Sequence, residues 1–229
     1  MRARVRAELT AAIKDGARRQ LATDGASALS LRAIARELDM ASSAIYRYFA
    51  SRDELLTALI IDAYEAIGDA VEAADQSTDR EDLAGRFHAM ALALRSWAIE
   101  HPHEYALIFG SPVPGYEAPQ DTIDPAARVP LALITVVVEA RAGDTNDEPV
   151  ADDLAQAVAG LNEFTGRLLT PALLRDTVSA WAQLFGLVSL ELFGHFENSV
   201  ANDGVLFDHA ARSLATRLLT RNDAAAASD

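Results

Sequence analysis

Apolar positions recur at three- and four-residue intervals along nearly the whole chain, the spacing of amphipathic helices. Leu9, Ile13, Ala17 and Leu21 predict a first helix over about residues 5–22, ended at Asp24-Gly25. Ser30 is placed to cap a short helix over 31–38, whose inner face is Leu31, Ile34, Ala35 and Leu38. Asp39-Met40 is a tight break. A third helix is then predicted from 41 or 42 to about 48, with Ile45 and Phe49 facing inward. Ser51 caps a long fourth helix to about residue 74, and Asp53 and Glu54 lie in its first turn, where the helix dipole favours acids.

The stretch QSTDRED (76–82) interrupts the pattern. Helix resumes over 82–99 on Leu83, Phe87, Met90, Leu94 and Trp97, and a short helix follows over 105–109. Residues 110–130 hold five of the eight prolines, so this stretch cannot be one helix and is predicted as an ordered surface loop. Further helices are predicted over 125–142, 151–168, 171–196 and 203–220, with RAGDTNDEP (141–149) as a polar loop. ITVVVEA (134–140) is β-branched but sits inside a longer helical pattern. No convincing period-2 run and no Asn-Gly or Asp-Gly hairpin between strand-like runs is present. The expectation is an all-α protein of about nine to ten helices. It divides into an N-terminal three-helix helix-turn-helix domain (1–55), a larger helical regulatory and dimerisation domain (56–221) and a disordered tail (222–229).

Composition narrows the function. Half of the 229 residues are hydrophobic, enough for a real core. The absence of cysteine excludes a disulfide scaffold, a thiolate nucleophile and a cysteine-ligated metal, and suits a reducing cytosol. The basic N-terminus lacks a continuous apolar h-region, and no run of about 18 apolar residues occurs. A cytoplasmic protein without a membrane partner is therefore expected. The net charge of −14 is uneven. Residues 1–55 carry ten Arg/Lys against seven Asp/Glu, whereas 56–229 carry ten against 27. A basic end on an acidic protein suits a segment that meets a polyanion.

That end contains MASSAIYRYFASR (40–52). Two short helices joined by three or four residues and braced by a third are helix-turn-helix spacing, which many helical proteins also show. With Ile45 and Phe49 inward, Ser42, Ser43, Tyr46 and Arg47 must point away. Small residues at 41–44 allow close approach to DNA. Arginine reaches phosphate or the guanine edge, and the hydroxyls reach phosphate or base edges. Ser30 and Arg32 open the preceding helix, Arg52 opens the fourth, and Arg2, Arg4 and Arg6 form a basic, flexible arm. The alternative is that the tyrosines pack at a protein interface.

LSLRAIARELDMASSAIYRYFASRDELLTALI (29–60) resembles the DNA-binding segment of the tetracycline-repressor-like (TetR) family of bacterial regulators, over about residues 5–65. The specific features are the small-small-x-aromatic-Arg/x-Tyr-Phe run and the Ser-basic-acidic-acidic-Leu start that follows. The resemblance implies an all-helical homodimer, a palindromic double-stranded operator and a C-terminal ligand-responsive domain. Carried over by position, it places Ser42, Ser43, Tyr46 and Arg47 in the major groove, with Tyr48, Arg52 and Ser30 on phosphates. Arg52 stands where the family often has lysine and keeps the charge. Asp39 stands where glycine is frequent and tolerates left-handed geometry.

Residues 75–221 resemble more weakly a C-terminal subgroup named for a Trp-His-Gly trio. HPHEYALIFGSPVPGYEAP (101–119) and WAQLFGLVSLELFGH (181–195) carry it. Trp181 and Gly186 match, while Phe185 occupies the histidine position. The helix over 171–196 is apolar on more than one side. Leu187, Leu190 and Gly194, with Leu206, Ala210 and Leu214 of the last helix, are expected to build half of a symmetric four-helix dimer interface. A buried central helix of a monomer is the alternative. Phe87, Met90, Trp97, Tyr105, Phe109, Tyr116, Phe164 and Trp181 supply groups for a small-molecule effector site near the proline-rich loop, although most also suit a core. His88, His101, His103 and Glu104 lack metal-ligand spacing, so neither metal nor cofactor is expected. No phosphate loop, Ser-His-Asp arrangement or paired-carboxylate site indicates an enzyme. The expected function is a transcriptional regulator, a repressor released from its operator by a small molecule. A ligand-independent architectural or activating protein is the alternative.

Overall fold

In the computed structural model, residues 2–141, 149–165 and 169–220 are described, with side chains for 3–141, 149–161 and 169–220. All regular elements among them are helical: α1 (Arg2–Asp24), α2 (Leu31–Glu37), α3 (Ser42–Ile45), α4 (Arg52–Ser77), α5 (Leu83–Glu100), α6 (Pro102–Phe109), α7 (Ile123–Ala140), α8 (Asp152–Thr165), α9 (Pro171–Leu192) and α10 (Asp203–Leu219). Short 3-10 turns lie at Ala26–Ala28 and Gln120–Thr122. The β-branched run 134–140 is helical in α7, where Ile134, Val136 and Val137 are buried. The expected loop 142–148 and tail 222–229 lie outside the described residues.

Packing divides the chain into one unit of Met1–Ala66 with Ala98–Ala126 and another of Ile67–Trp97 with Ala127–Asp229. This differs from a partition at residue 55/56, because α6 and the proline-rich loop fold back onto the helix-turn-helix core. In the first unit, Ile13, Ala17, Leu31, Ile34, Ala35, Ile45, Phe49, Leu55 and Leu56 form one buried cluster. Leu107, Ile108, Val113 and Tyr116 pack against it. The Tyr116 and Thr57 hydroxyls are 2.9 Å apart, and Tyr64 donates to the Ile108 carbonyl. The loop expected to cover an effector entrance is thus seated on the first unit.

The second unit contains a charge buried in its core. Arg86 of α5 is fully buried and bonds Asp75 of α4 at 2.7 Å and Glu139 of α7. Arg128 crosses α4 to reach Asp69 and Glu72. Gly68 permits that crossing, because a Cβ there would lie 2.9 Å from the guanidinium carbon. Three helices end earlier than their apolar pattern predicts. α3 stops at Ile45, and the Arg47 and Tyr48 amides bond back to carbonyls three residues earlier. α2 stops at Glu37, where Asp39 adopts φ 52°. α9 stops at Leu192, where Gly194 adopts φ 74° and the His195 amide bonds the Leu190 carbonyl. This is a left-handed cap.

Candidate nucleic-acid interface

Local bonding sets the helix-turn-helix. Ser30 caps α2 by accepting from the Ala33 amide, while its own amide donates to Gln20 of α1. The Met40 amide closes the turn on the Ala35 carbonyl at 2.8 Å. Ser51 accepts from the Glu54 amide, and Glu54 reaches back to the Ala50 amide, a reciprocal pair that fixes the start of α4. Between these two fixed ends, Ile45 is 0% and Phe49 5% exposed.

The opposite side is open. Ser42, Ser43, Tyr46 and Arg47 are all exposed, and Tyr46 keeps 42% of its surface in solvent. The structure therefore brings together the four residues predicted to read bases. Tyr48 is half-buried against the core, under the Arg6 guanidinium. Arg32 is exposed on α2. One residue absent from the prediction joins it: Arg36, four positions on and so on the same helix face, is also exposed. Arg32, Arg36 and Arg47 have no carboxylate partner among the described residues, whereas Lys14, Arg18 and Arg19 are paired with Asp62, Asp15, Glu104 and Glu37. The free cations of this unit thus include those of the helix-turn-helix. The i, i+4 spacing of Arg32 and Arg36 was the sequence signal for the missed residue.

Two expectations change. Arg52 turns its fork inward, donating to the Ala26 carbonyl at 2.9 Å and to Asp53. It ties the 3-10 turn to the start of α4, on a carbonyl that also accepts from the Leu29 amide. The basic N-terminus is helical from Arg2 onward. Arg4 pairs with Glu8, and Arg6 bonds the Arg47 carbonyl.

The remaining predicted sites separate. Phe87, Met90 and Trp97 are buried in the second unit, while Tyr105, Phe109 and Tyr116 belong to the first. The side chain of Phe164 lies outside the described residues. Trp181 is 37% exposed and contacts the Phe185 ring at 5.2 Å, so it lies on the surface and does not line a closed pocket. In the second unit Leu190 and Leu206 are exposed, and Leu187 and Ala210 are half-buried. Leu214 is 2% exposed and packs in the core of its own unit. Gly194 serves as the cap of α9. Trp181, Phe193 and Val205 are exposed on the same two helices and their ends. Gly186 has open space around its missing Cβ.

Comparison with known proteins matches this arrangement. Residues 13–59 match the family model described as bacterial regulatory proteins, tetR family, and residues 87–214 match the tetracyclin repressor-like C-terminal domain. The HTH-type transcriptional regulator Rv1816 of Mycobacterium tuberculosis is 42% identical over 221 residues, covering 91% of this chain and 92% of that protein. A crystal structure described as that of a regulatory protein, SCO4313, aligns with TM-score 0.79 at 38% identity, covering 93% of this chain and 98% of that one. The fold is shared with a TetR family transcription regulator from Marinobacter aquaeolei VT8, with TM-score 0.63 at 18% identity, covering 96% and 100% of the two chains.

Proposed function

Since this chain belongs to the TetR family of bacterial DNA-binding transcriptional regulators, we propose that it is a repressor that holds a palindromic operator as a homodimer and releases it on binding a small molecule. The observation that carries this reading is the two-sided segment 42–49, where Ile45 and Phe49 are buried while Ser42, Ser43, Tyr46 and Arg47 face solvent. The four outward residues meet base edges and adjacent phosphates in the major groove. Arg32 and Arg36 meet the flanking backbone, and the backbone at Ser30 lies close by. Tyr48 supports the segment from below.

Regulators of this family act as homodimers. The exposed apolar residues Leu190 and Leu206 support a pairing surface on α9 and α10, and the open space at Gly186 supports close helix approach. Two copies present two short reading segments about one DNA turn apart, which yields discrimination that one segment lacks. Phe87, Met90 and Trp97 are predicted apolar groups buried in the second unit, and the effector site is proposed beside them. The effector binds the free protein better than the operator complex, by about 5–150-fold for a coupling of this kind.

Selection of bound duplexes from a random library at fixed salt tests the reading. A palindromic consensus with half-sites about one turn apart is expected. Sequence-indifferent, salt-sensitive binding would replace it with the architectural alternative. A ligand that binds the free protein and the complex equally would remove the release mechanism.

A further inference from the structure

The residues that face DNA stand on a helix too short to hold itself. α3 has four residues, a single turn, and isolated helices below about 12 residues do not persist in water. Ile45 and Phe49 anchor its inner side, with half-buried Tyr48 packed against the same core. The Arg47, Tyr48 and Phe49 amides bond only to carbonyls within the segment, at 3.2, 2.9 and 3.2 Å.

Among the described residues, one side chain from elsewhere hydrogen-bonds to this segment. Arg6 donates from Nη2 to the Arg47 carbonyl at 3.3 Å, across 41 residues of sequence. Among the described residues, this is the one hydrogen bond that reaches residues 41–49 from outside them. The same guanidinium lies over the Tyr48 ring, 5.6 Å from its centroid, within cation–π range. Arg6 has no carboxylate partner among the described residues; the neighbouring Arg4 takes Glu8. A planar fork that donates and stacks at once is a property of arginine that lysine does not reproduce.

We propose that Arg6 is a positioning residue for sequence recognition. By bridging the Arg47 carbonyl and the Tyr48 ring it sets the roll of the reading segment, and with it the angle at which Tyr46 and Arg47 meet base edges. The proposal rests on the reading that this face binds DNA. It differs from an arm that merely touches phosphate, because the contact is made to the protein and not to the polyanion.

The test compares full-length wild type with Arg6→Lys, Arg6→Ala and Tyr48→Leu. Each is measured on the duplex that wild type selects and on single-base variants of it, at several salt concentrations. Hydrogen exchange and melting of the free proteins accompany these measurements. Exchange at Arg47, Tyr48 and Phe49 is expected to rise about tenfold in both Arg6 variants with the melting midpoint held. Discrimination against single-base changes is expected to fall about tenfold in Arg6→Lys as in Arg6→Ala, with the wild-type salt slope retained in Arg6→Lys. Tyr48→Leu should reproduce that loss, and adding Arg6→Lys to it should change little. Wild-type discrimination in Arg6→Lys, with Arg6→Ala weakening every duplex alike, would make Arg6 a phosphate contact and overturn the proposal. A lowered melting midpoint with unchanged discrimination would make it a structural residue and overturn it too. If wild type selects no duplex, the DNA reading itself fails; if wild type selects one and the variants match it, only the role of Arg6 does.

Discussion

Arg52 and Arg36 exchange the roles that their positions in the sequence imply. Arg52, at the start of α4, has its fork on the Ala26 carbonyl and a buried Nε without a partner. Arg36, an ordinary surface arginine by spacing, is exposed and unpaired among the described residues beside Arg32. Arg52→Ala is therefore expected to destabilise the first unit by about 1–3 kcal/mol, the worth of a hydrogen bond from a charged donor, while leaving the salt slope of DNA binding unchanged. Arg36→Ala should do the reverse, lowering the slope by about one and sparing stability. Urea titration and salt-dependent binding separate the two. Tyr46→Ala should relax base preference in a repeated duplex selection, since its side chain is among the most exposed large groups of the segment. The outward set at 42–47 was legible because two buried residues four apart dictate which neighbours face out. The target of Arg52 was not, because a backbone carbonyl 26 residues away leaves no mark on side-chain pattern.

At the scale of elements, the cluster around Arg86 joins α4, α5 and α7. Arg86→Ala should cost about 3 kcal/mol, because among the described residues it leaves Asp75 and Glu139 only the half-exposed Arg80 as a cation. Arg86→Met should cost less than leaving that void. The cluster also sets an acid limit. Burial opposes the charge on Asp75, but the Arg86 and Arg80 guanidiniums outweigh it and hold this carboxyl below its usual value. A lowered folded-state pKa contributes stability that is fully present above the unfolded value, about pH 4, and is lost as pH falls through the folded value. Acid unfolding monitored by circular dichroism should flatten below about pH 4 in Asp75→Asn. Gly194→Ala should cost about 1–2 kcal/mol through its positive φ, again read by denaturant titration. Helix existence and type followed from four-residue spacing. The early stops at Ile45 and Leu192 did not, because apolar spacing continues past both while a tightening turn and a left-handed glycine end the helix.

For the whole molecule, the charge asymmetry and the apolar surface of α9 and α10 bear on assembly. Leu190 and Leu206 are 40% and 39% exposed, large for leucines without a partner. Leu190→Glu with Leu206→Glu should shift sedimentation toward the monomer and weaken binding to a palindrome far more than to a half-site. An unchanged sedimentation coefficient would place the pairing surface elsewhere. No described helix is long and apolar enough to cross a membrane.

The sequence by itself determined that the chain is helical, that its N-terminal part is a helix-turn-helix and which residues of 42–47 face outward. Periodicity and capping are local properties, written within a turn or two of each residue. Only the tertiary structure decided that α6 and the proline-rich loop pack on the DNA-binding unit, that Leu214 is core and Trp181 surface, and that Arg6 grips the Arg47 carbonyl. Each of those depends on which surfaces meet across tens of residues. An apolar or basic side chain carries the same local signature whichever partner it finds.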